Sequence, residues 1–239
     1  MNVNNNTLKL AGTIKEIELA YTDEDKGEKF YRIFLKVDRL SENVDTLPVI
    51  CSEKLLFDVN HEVGARISVT GYIRTRNYND EEGKSHLDVF GYVHSIEGLS
   101  PYDEIDAKTN NLVKISGYIC RPVRNRQTLK TKREITDLVL AVNRPYERRD
   151  YIPCIAWSRN AVLAANRTMG DYVYIIGRFQ DRQYRKKGME GTLTTYEVSV
   201  IDLQVLEPDV QSEVTEEPEH PEQPKEVQVQ EQSEVTNDE

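Results

Sequence analysis

The chain repeats itself once, and this repeat constrains its fold more tightly than any other feature of the sequence. Leu8-Lys9-Leu10-Ala11-Gly12-Thr13-Ile14 matches Val113-Lys114-Ile115-Ser116-Gly117-Tyr118-Ile119, with Gly12 and Gly117 105 positions apart. The proline of Leu47-Pro48-Val49-Ile50 returns in Ile152-Pro153-Cys154-Ile155 at the same spacing. After a one-residue slip, Ser52, Gly64, Gly71 and Tyr78 have counterparts 106 positions on, at Ser158, Gly170, Gly177 and Tyr184. Shared order at a nearly constant offset reads as two copies of one domain of about 100 residues, an ordinary domain size. The period is too long for a stacked solenoid.

Within each copy the apolar pattern has the period of strands. It predicts strands over 8–17, 31–37, 65–73 and 87–93 in the first copy, and over 112–119, 135–142, 151–157, 172–179 and 196–203 in the second. Turn chemistry separates them, as in Asp25-Lys26-Gly27 and the run Asn79 to Gly83. One helix interrupts each copy at the same place. Ser52 ahead of Glu53-Lys54-Leu55-Leu56, and Ser158 ahead of Asn160 to Ala165, are predicted N-caps. Three strands, a helix, then two strands is the order of a five-stranded Greek-key barrel, the OB-fold. The expected architecture is all-β: two tandem five-stranded OB-fold barrels at 1–99 and 112–206, each with one short helix. A polar linker at 100–111 joins them, and a disordered acidic C-terminal tail follows at 207–239, where the Glu, Gln, Pro, Val and Ser composition has no aromatics to bury.

Charge divides the chain along the same lines. The formal net of −10 is the sum of −7 up to Glu104, +8 from Ile105 to Leu206, and −11 in the tail. No apolar run approaches the length of a membrane span, and the N-terminus lacks a signal pattern. Cys51, Cys120 and Cys154 are odd in number and widely spaced, which argues against a disulfide framework or a zinc site and for a reducing cytoplasm. Each sits among apolar residues and reads as a small buried hydrophobe. No metal, cofactor or catalytic constellation can be assembled from these residues, so an enzyme is the least supported reading.

The informative segment is the sheet of the second copy. Period-2 alternation over 151–157 puts Ile152, Cys154 and Ala156 toward the core and projects Tyr151 and Trp157 outward, with Arg159 following at the helix entry. Arg178, Gln180, Arg182 and Tyr184 share a face of a later strand, and Arg185-Lys186-Lys187 lies beyond. Tyr146 sits between Arg144 and Arg148-Arg149. Cations interleaved with exposed rings are what a single nucleic-acid strand requires, the cations for phosphates and the rings for unpaired bases. Each of these residues also has an ordinary role open to it, on a half-buried sheet or a solvated turn; together they favour binding.

The first copy differs. Where the second has Tyr146, Tyr151 and Trp157, the sequence alignment puts Ser41, Thr46 and Cys51. Arg74, Arg76 and Tyr78 remain as candidates, in a copy of negative charge that reads as a weak binder or a structural, dimerising unit. The runs Asp23 to Asp25 and Asp80 to Glu82 read as solvated hairpin tips.

Four segments then carry a specific resemblance: Gly117 to Pro122, Asp137 to Arg144, Tyr151 to Ala161 and Gly170 to Arg178. In this order they resemble the bacterial single-stranded DNA-binding protein family across nearly all of 112–206, and the first copy resembles it more faintly. The resemblance implies that Tyr146, Tyr151, Trp157 and Tyr184 stack on bases. Arg121, Arg144, Arg159, Arg178 and Arg182 become phosphate contacts by their location. Family members work as assemblies of four barrels, which implies a homodimer here. In the family an acidic tip, closing with an aromatic after a proline, docks replication and repair proteins; this chain keeps the acidity and closes on Val235 to Glu239 without the aromatic. The leading expectation is therefore a cytoplasmic, nucleoid-associated binder of single-stranded DNA without enzymatic activity. A single-stranded RNA binder and a protein-interaction module are the alternatives.

Overall fold

Alternation of covered and open side chains runs along the strands as the period-2 rule requires. In β6 (Asn111–Ile119), Asn111, Val113, Ile115, Gly117 and Ile119 are buried and the residues between them are not. The computed structural model describes residues 5–80, 82–128, 131–184 and 191–206. Before β6 come β1 (Asn6–Asp23), β2 (Glu28–Asp38), β3 (Val44–Ser52), α1 (Glu53–Leu56), β4 (Arg66–Asn79) and β5 (Ser85–Leu99). After it come β7 (Arg124–Gln127), β8 (Glu134–Asn143), β9 (Arg149–Trp157), α2 (Ser158–Ala165), β10 (Tyr172–Tyr184) and β11 (Leu193–Leu206). The described residues are thus all-β with two short helices.

Strand β6 pairs with β10, β10 with β11, β11 in parallel with β9, β9 with β8, and β8 with β6, which closes a five-stranded barrel. In the first half β1 pairs with β4, β4 with β5, β5 in parallel with β3, β3 with β2, and β2 with β1. The registers match residue for residue. Leu8 faces Gly71 as Val113 faces Gly177, and Val49 faces Gly91 as Cys154 faces Val198. A bulge falls before Gly71 and again before Gly177. Both positions demand glycine, because a Cβ at either would run into a carbonyl of the adjacent strand, that of Tyr92 or Ser199.

The halves join edge to edge. Strands β1 and β6 pair antiparallel with Leu8 opposite Val113, Asn6 opposite Ile115 and Leu10 opposite Asn111. Leu8 and Val113 are counterparts in the repeat, so a local two-fold passes through that pair. Two buried asparagines obey it. Asn6 donates to the carbonyl of Ile73 (2.8 Å) and accepts from its N–H (2.9 Å), and Asn111 does the same to Phe179 (2.7 and 2.9 Å). Two fully buried aspartates obey it as well: Asp150 accepts from the N–H of Thr75 at 2.8 Å, and Asp45 from the N–H of Asp181 at 3.1 Å. The asparagines bind within their own halves, whereas the two aspartates reach across the junction, and their demand for partners ties the register of one half to the other.

Several sequence expectations change in detail. Strand β7 was not anticipated, because Arg124-Asn125-Arg126-Gln127 is polar and exposed on both faces; it is held by pairing with β8. Ser52 caps α1 as expected, accepting from the N–H of Lys54 at 3.1 Å. Ser158 does not cap α2. That position belongs to Trp157, without a side-chain cap bond, and Ser158 takes a left-handed φ of 51° inside the first turn. Residues 100–110 form no free linker: the Arg66 guanidinium donates to the carbonyls of Ser100, Pro101 and Asp103, and Asn110 donates to that of Asp38. Cys51 and Cys154 lie in the core, where burial pushes the Cys51 thiol up to about 12 and Cys154 upward too. The expected acidic tail, 207–239, lies outside the described residues, as does Arg185-Lys186-Lys187.

Candidate nucleic-acid interface

The second half presents four of the predicted rings on its exterior. Tyr146 occupies the tight turn between β8 and β9, closed by the Arg144 N–H on the Arg148 carbonyl at 2.8 Å. Two of the three residues it encloses, Tyr146 and Glu147, have left-handed φ values, 61° and 56°. That geometry matches the twist of a hairpin and usually falls to Asn or Gly, so a tyrosine here is strained. The ring projects from this turn into solvent, 94% exposed.

Tyr151 and Trp157 lie at opposite ends of β9 on its outward face, 40% and 38% exposed. Ile155, on the same face between them, is buried. The Tyr151 N–H donates to Thr75 Oγ1 of the first half at 2.9 Å, so the other half of the chain positions this strand end. Tyr184 ends β10, 41% exposed, with the Arg182 guanidinium 5.8 Å from its ring centroid.

The predicted cations divide into two groups. Arg121 and Arg159 are exposed and form no ion pair among the described residues. Arg182 is partly held by Glu197 at 3.0 Å. The others are held within the protein. Arg178 donates to the carbonyls of Ala107 (2.9 Å) and Asp38 (3.1 Å) and to Asn110 Oδ1 (3.2 Å). Arg144 and Arg74 both reach buried Asp150, at 3.3 and 2.9 Å. Burial holds the Arg144 guanidinium below its ordinary value, with Asp150 opposing and Arg74 and Arg148 adding to the shift. Burial does the same to Arg178. Arg178 and Arg74 hold the halves together and Arg144 closes on Asp150 within the second half, so none stands open to a ligand; for Arg178 and Arg74 the sequence could not reveal this because their acceptors are distant in the chain.

In the first half, Arg76 meets Asp88 at 3.3 Å and keeps an exposed side chain. Tyr78 stacks on His86 with centroids 5.4 Å apart, and His86 in turn meets Asp80 at 2.6 Å. Sequence reasoning missed two features. The β7–β8 hairpin adds exposed Arg124, and Arg126 paired with Asp137 at 2.9 Å, to the second half, and the alternation of those two arginines was the signal available. The first half also carries Tyr21, Phe30 and Tyr92 in contact, a group invisible to the alignment because its members lie on three different strands.

Residues 110–206 match the model of the single-strand binding protein family. Over this second half the chain is similar to that family. The match begins one residue before β6 and ends at the last residue of β11, so it covers the closed barrel and all four candidate rings. Among curated proteins none matches the chain. In fold the chain is similar to the wild-type single-stranded DNA binding protein from Thermus aquaticus, with a TM-score of 0.66 and 23% identity, covering 85% of this chain and 93% of that one. A deletion mutant of the same Thermus protein gives a TM-score of 0.63 and 22% identity over 87% of this chain and 97% of its own. The N-terminal domain of PriB protein from Thermoanaerobacter tencongensis is 33% identical, covering 41% of this chain and 99% of its own, with a TM-score of 0.34.

Proposed function

We propose that the protein binds and protects single-stranded DNA during replication, recombination or repair, mainly through its second half. The observation that carries this reading is the set of open rings, Tyr146, Tyr151, Trp157 and Tyr184, on the barrel that matches the single-strand binding family, with Arg121 and Arg159 exposed on the same barrel. Each ring offers a face to any unpaired base, so binding is tolerant of sequence and each stack contributes about 1 to 3 kcal/mol. In this reading the chain is two tandem OB-fold barrels; the repeated registers and paired glycine bulges support it. Two chains then assemble as a cytoplasmic homodimer of four barrels, and the acidic tail offers replication or repair proteins a charged contact.

Trp157 is the only tryptophan in the chain, so its fluorescence reports on one place. Titration with oligo-dT at low and moderate salt should quench it strongly. Affinity should fall with log salt at a slope of about −0.7 for each phosphate neutralised. A silent Trp157 without binding overturns the proposal and favours a protein-interaction module. Displacement of oligo-dT by an equal amount of oligo-U would make RNA the ligand.

A further inference from the structure

The pairing register corrects the one-to-one comparison of the two halves. The same offset that aligns β2 with β8 and β3 with β9 makes Phe30 opposite Ser52 the counterpart of Ile135 opposite Trp157. Likewise Ile50 beside Tyr92 corresponds to Ile155 beside Ser199. On one patch of each half, then, three adjacent strands carry Ile135, Trp157 and Ser199 in the second, and Phe30, Ser52 and Tyr92 in the first. The second half has a ring at the centre with smaller flanks, and the first has a small centre with a ring on either side.

The ring geometry gives this inversion a consequence. Strands two apart in a sheet are separated by roughly 9 to 10 Å, yet the Phe30 and Tyr92 centroids lie 6.4 Å apart with planes 27° from parallel. Both rings therefore lean inward over β3, above the position where the second half places its indole. Tyr21 extends the group, stacked on Phe30 at 4.7 Å with planes 11° apart, and it is 39% exposed. Burial holds its phenol above the ordinary value, Tyr92 reinforcing this and Arg76 partly opposing.

We propose that Tyr21, Phe30 and Tyr92 form a second base-stacking platform, built from neighbouring strands at the site that Trp157 occupies in the other half. It takes unpaired bases of the same nucleic-acid strand, and it rests on the reading that the second half binds such a strand. Its electrostatics differ from those of the second half. Arg32 and Arg76 are both committed to Asp88, at 2.6 and 3.3 Å, and Asp23 and Glu28 lie close to Tyr21. Few cations remain for phosphates, so the platform holds base faces with little dependence on salt.

The test moves the reporter. In the full chain carrying Trp157→Phe and Tyr92→Trp, the introduced indole is the sole tryptophan and reads the first half. Saturating oligo-dT should quench it. No quenching there, while Trp157 of the unaltered chain is quenched, overturns the platform and leaves the proposed function standing; silence in both proteins overturns both. A second variant guards against misfolding. Phe30→Ile with Tyr92→Ser installs the second half's own flanking residues, and it should lose about tenfold in affinity for an oligo-dT long enough to span both halves. Affinity for a short oligo-dT held by the second half alone should be unchanged. An equal loss on both lengths, or none on either, overturns the platform.

Discussion

Ser52 and Trp157 stand at the same point of the two halves, each the last strand residue before a helix and each its N-cap. One is a hydroxyl that accepts from Lys54 and donates to Glu28; the other is an indole 38% open to solvent. Elsewhere in the two halves the picture reverses, and Asn6 and Asn111, Asp45 and Asp150, and Gly71 and Gly177 do the same work in both. The difference lies in what each residue faces. A side chain whose partner is a backbone group of fixed geometry has few replacements that satisfy the same hydrogen bonds. A side chain that faces solvent is constrained by what it binds, and the two halves have diverged there.

The sharpest test of this comparison lies in the buried aspartates. Asp150 holds Arg74, Arg144 and the Thr75 N–H, so Asp150→Ala strands two part-buried cations and should cost about 3 kcal/mol in urea unfolding. Asp45→Ala should cost less, about 2 kcal/mol. Asp181 lies 3.9 Å from Arg39, and burial with Asp45 beside it holds the Asp181 carboxyl above its ordinary range. Removing Asp45 relieves Asp181 and leaves Arg39 a substitute anion. The counterpart of Asp181 in the other half is Thr75, which carries no charge. Equal losses in the two variants would break this account.

A smaller effect tests whether the shared scaffold is shared in energy too. Asn6→Ala and Asn111→Ala each leave a buried N–H and a buried carbonyl without partners, so each should lower stability by about 2 kcal/mol. A large gap between the two midpoints would show that the two halves do not rely equally on their buried asparagine.

The smallest expected change separates stability from binding in the region where the halves differ most. Tyr146→Gly removes a left-handed tyrosine and should raise the melting temperature, gaining about 1 kcal/mol. The same change deletes an exposed ring, so affinity for oligo-dT should fall. A variant that is stabilised and binds as before would take Tyr146 out of the interface.

Much of this was legible in the chain. The repeat, the alternation of strands, the Ser52 cap and the outward placement of Tyr151, Trp157 and Tyr184 follow from spacing and residue type, because a strand has a period of two and a local cap needs only its neighbours. The Asn6 and Asn111 pair is legible as well, because the repeat extends two residues upstream of Leu8 and Val113. Strand β7 was hidden, since a polar strand exposed on both faces has no apolar period to betray it.

The sequence by itself therefore determined the duplicated strand order and the outward rings of the second half, through local periodicity. Only the tertiary structure decided which arginines are open to a ligand. Arg178, Arg144 and Arg74 look like Arg121 and Arg159 in the chain, but their acceptors lie 68 to 140, 6 and 76 residues away, and all but the Arg144–Asp150 contact come together only when the halves close. It also placed Phe30 and Tyr92 over β3, because a contact between rings on separate strands depends on register, and register is set by pairing rather than by order along the chain.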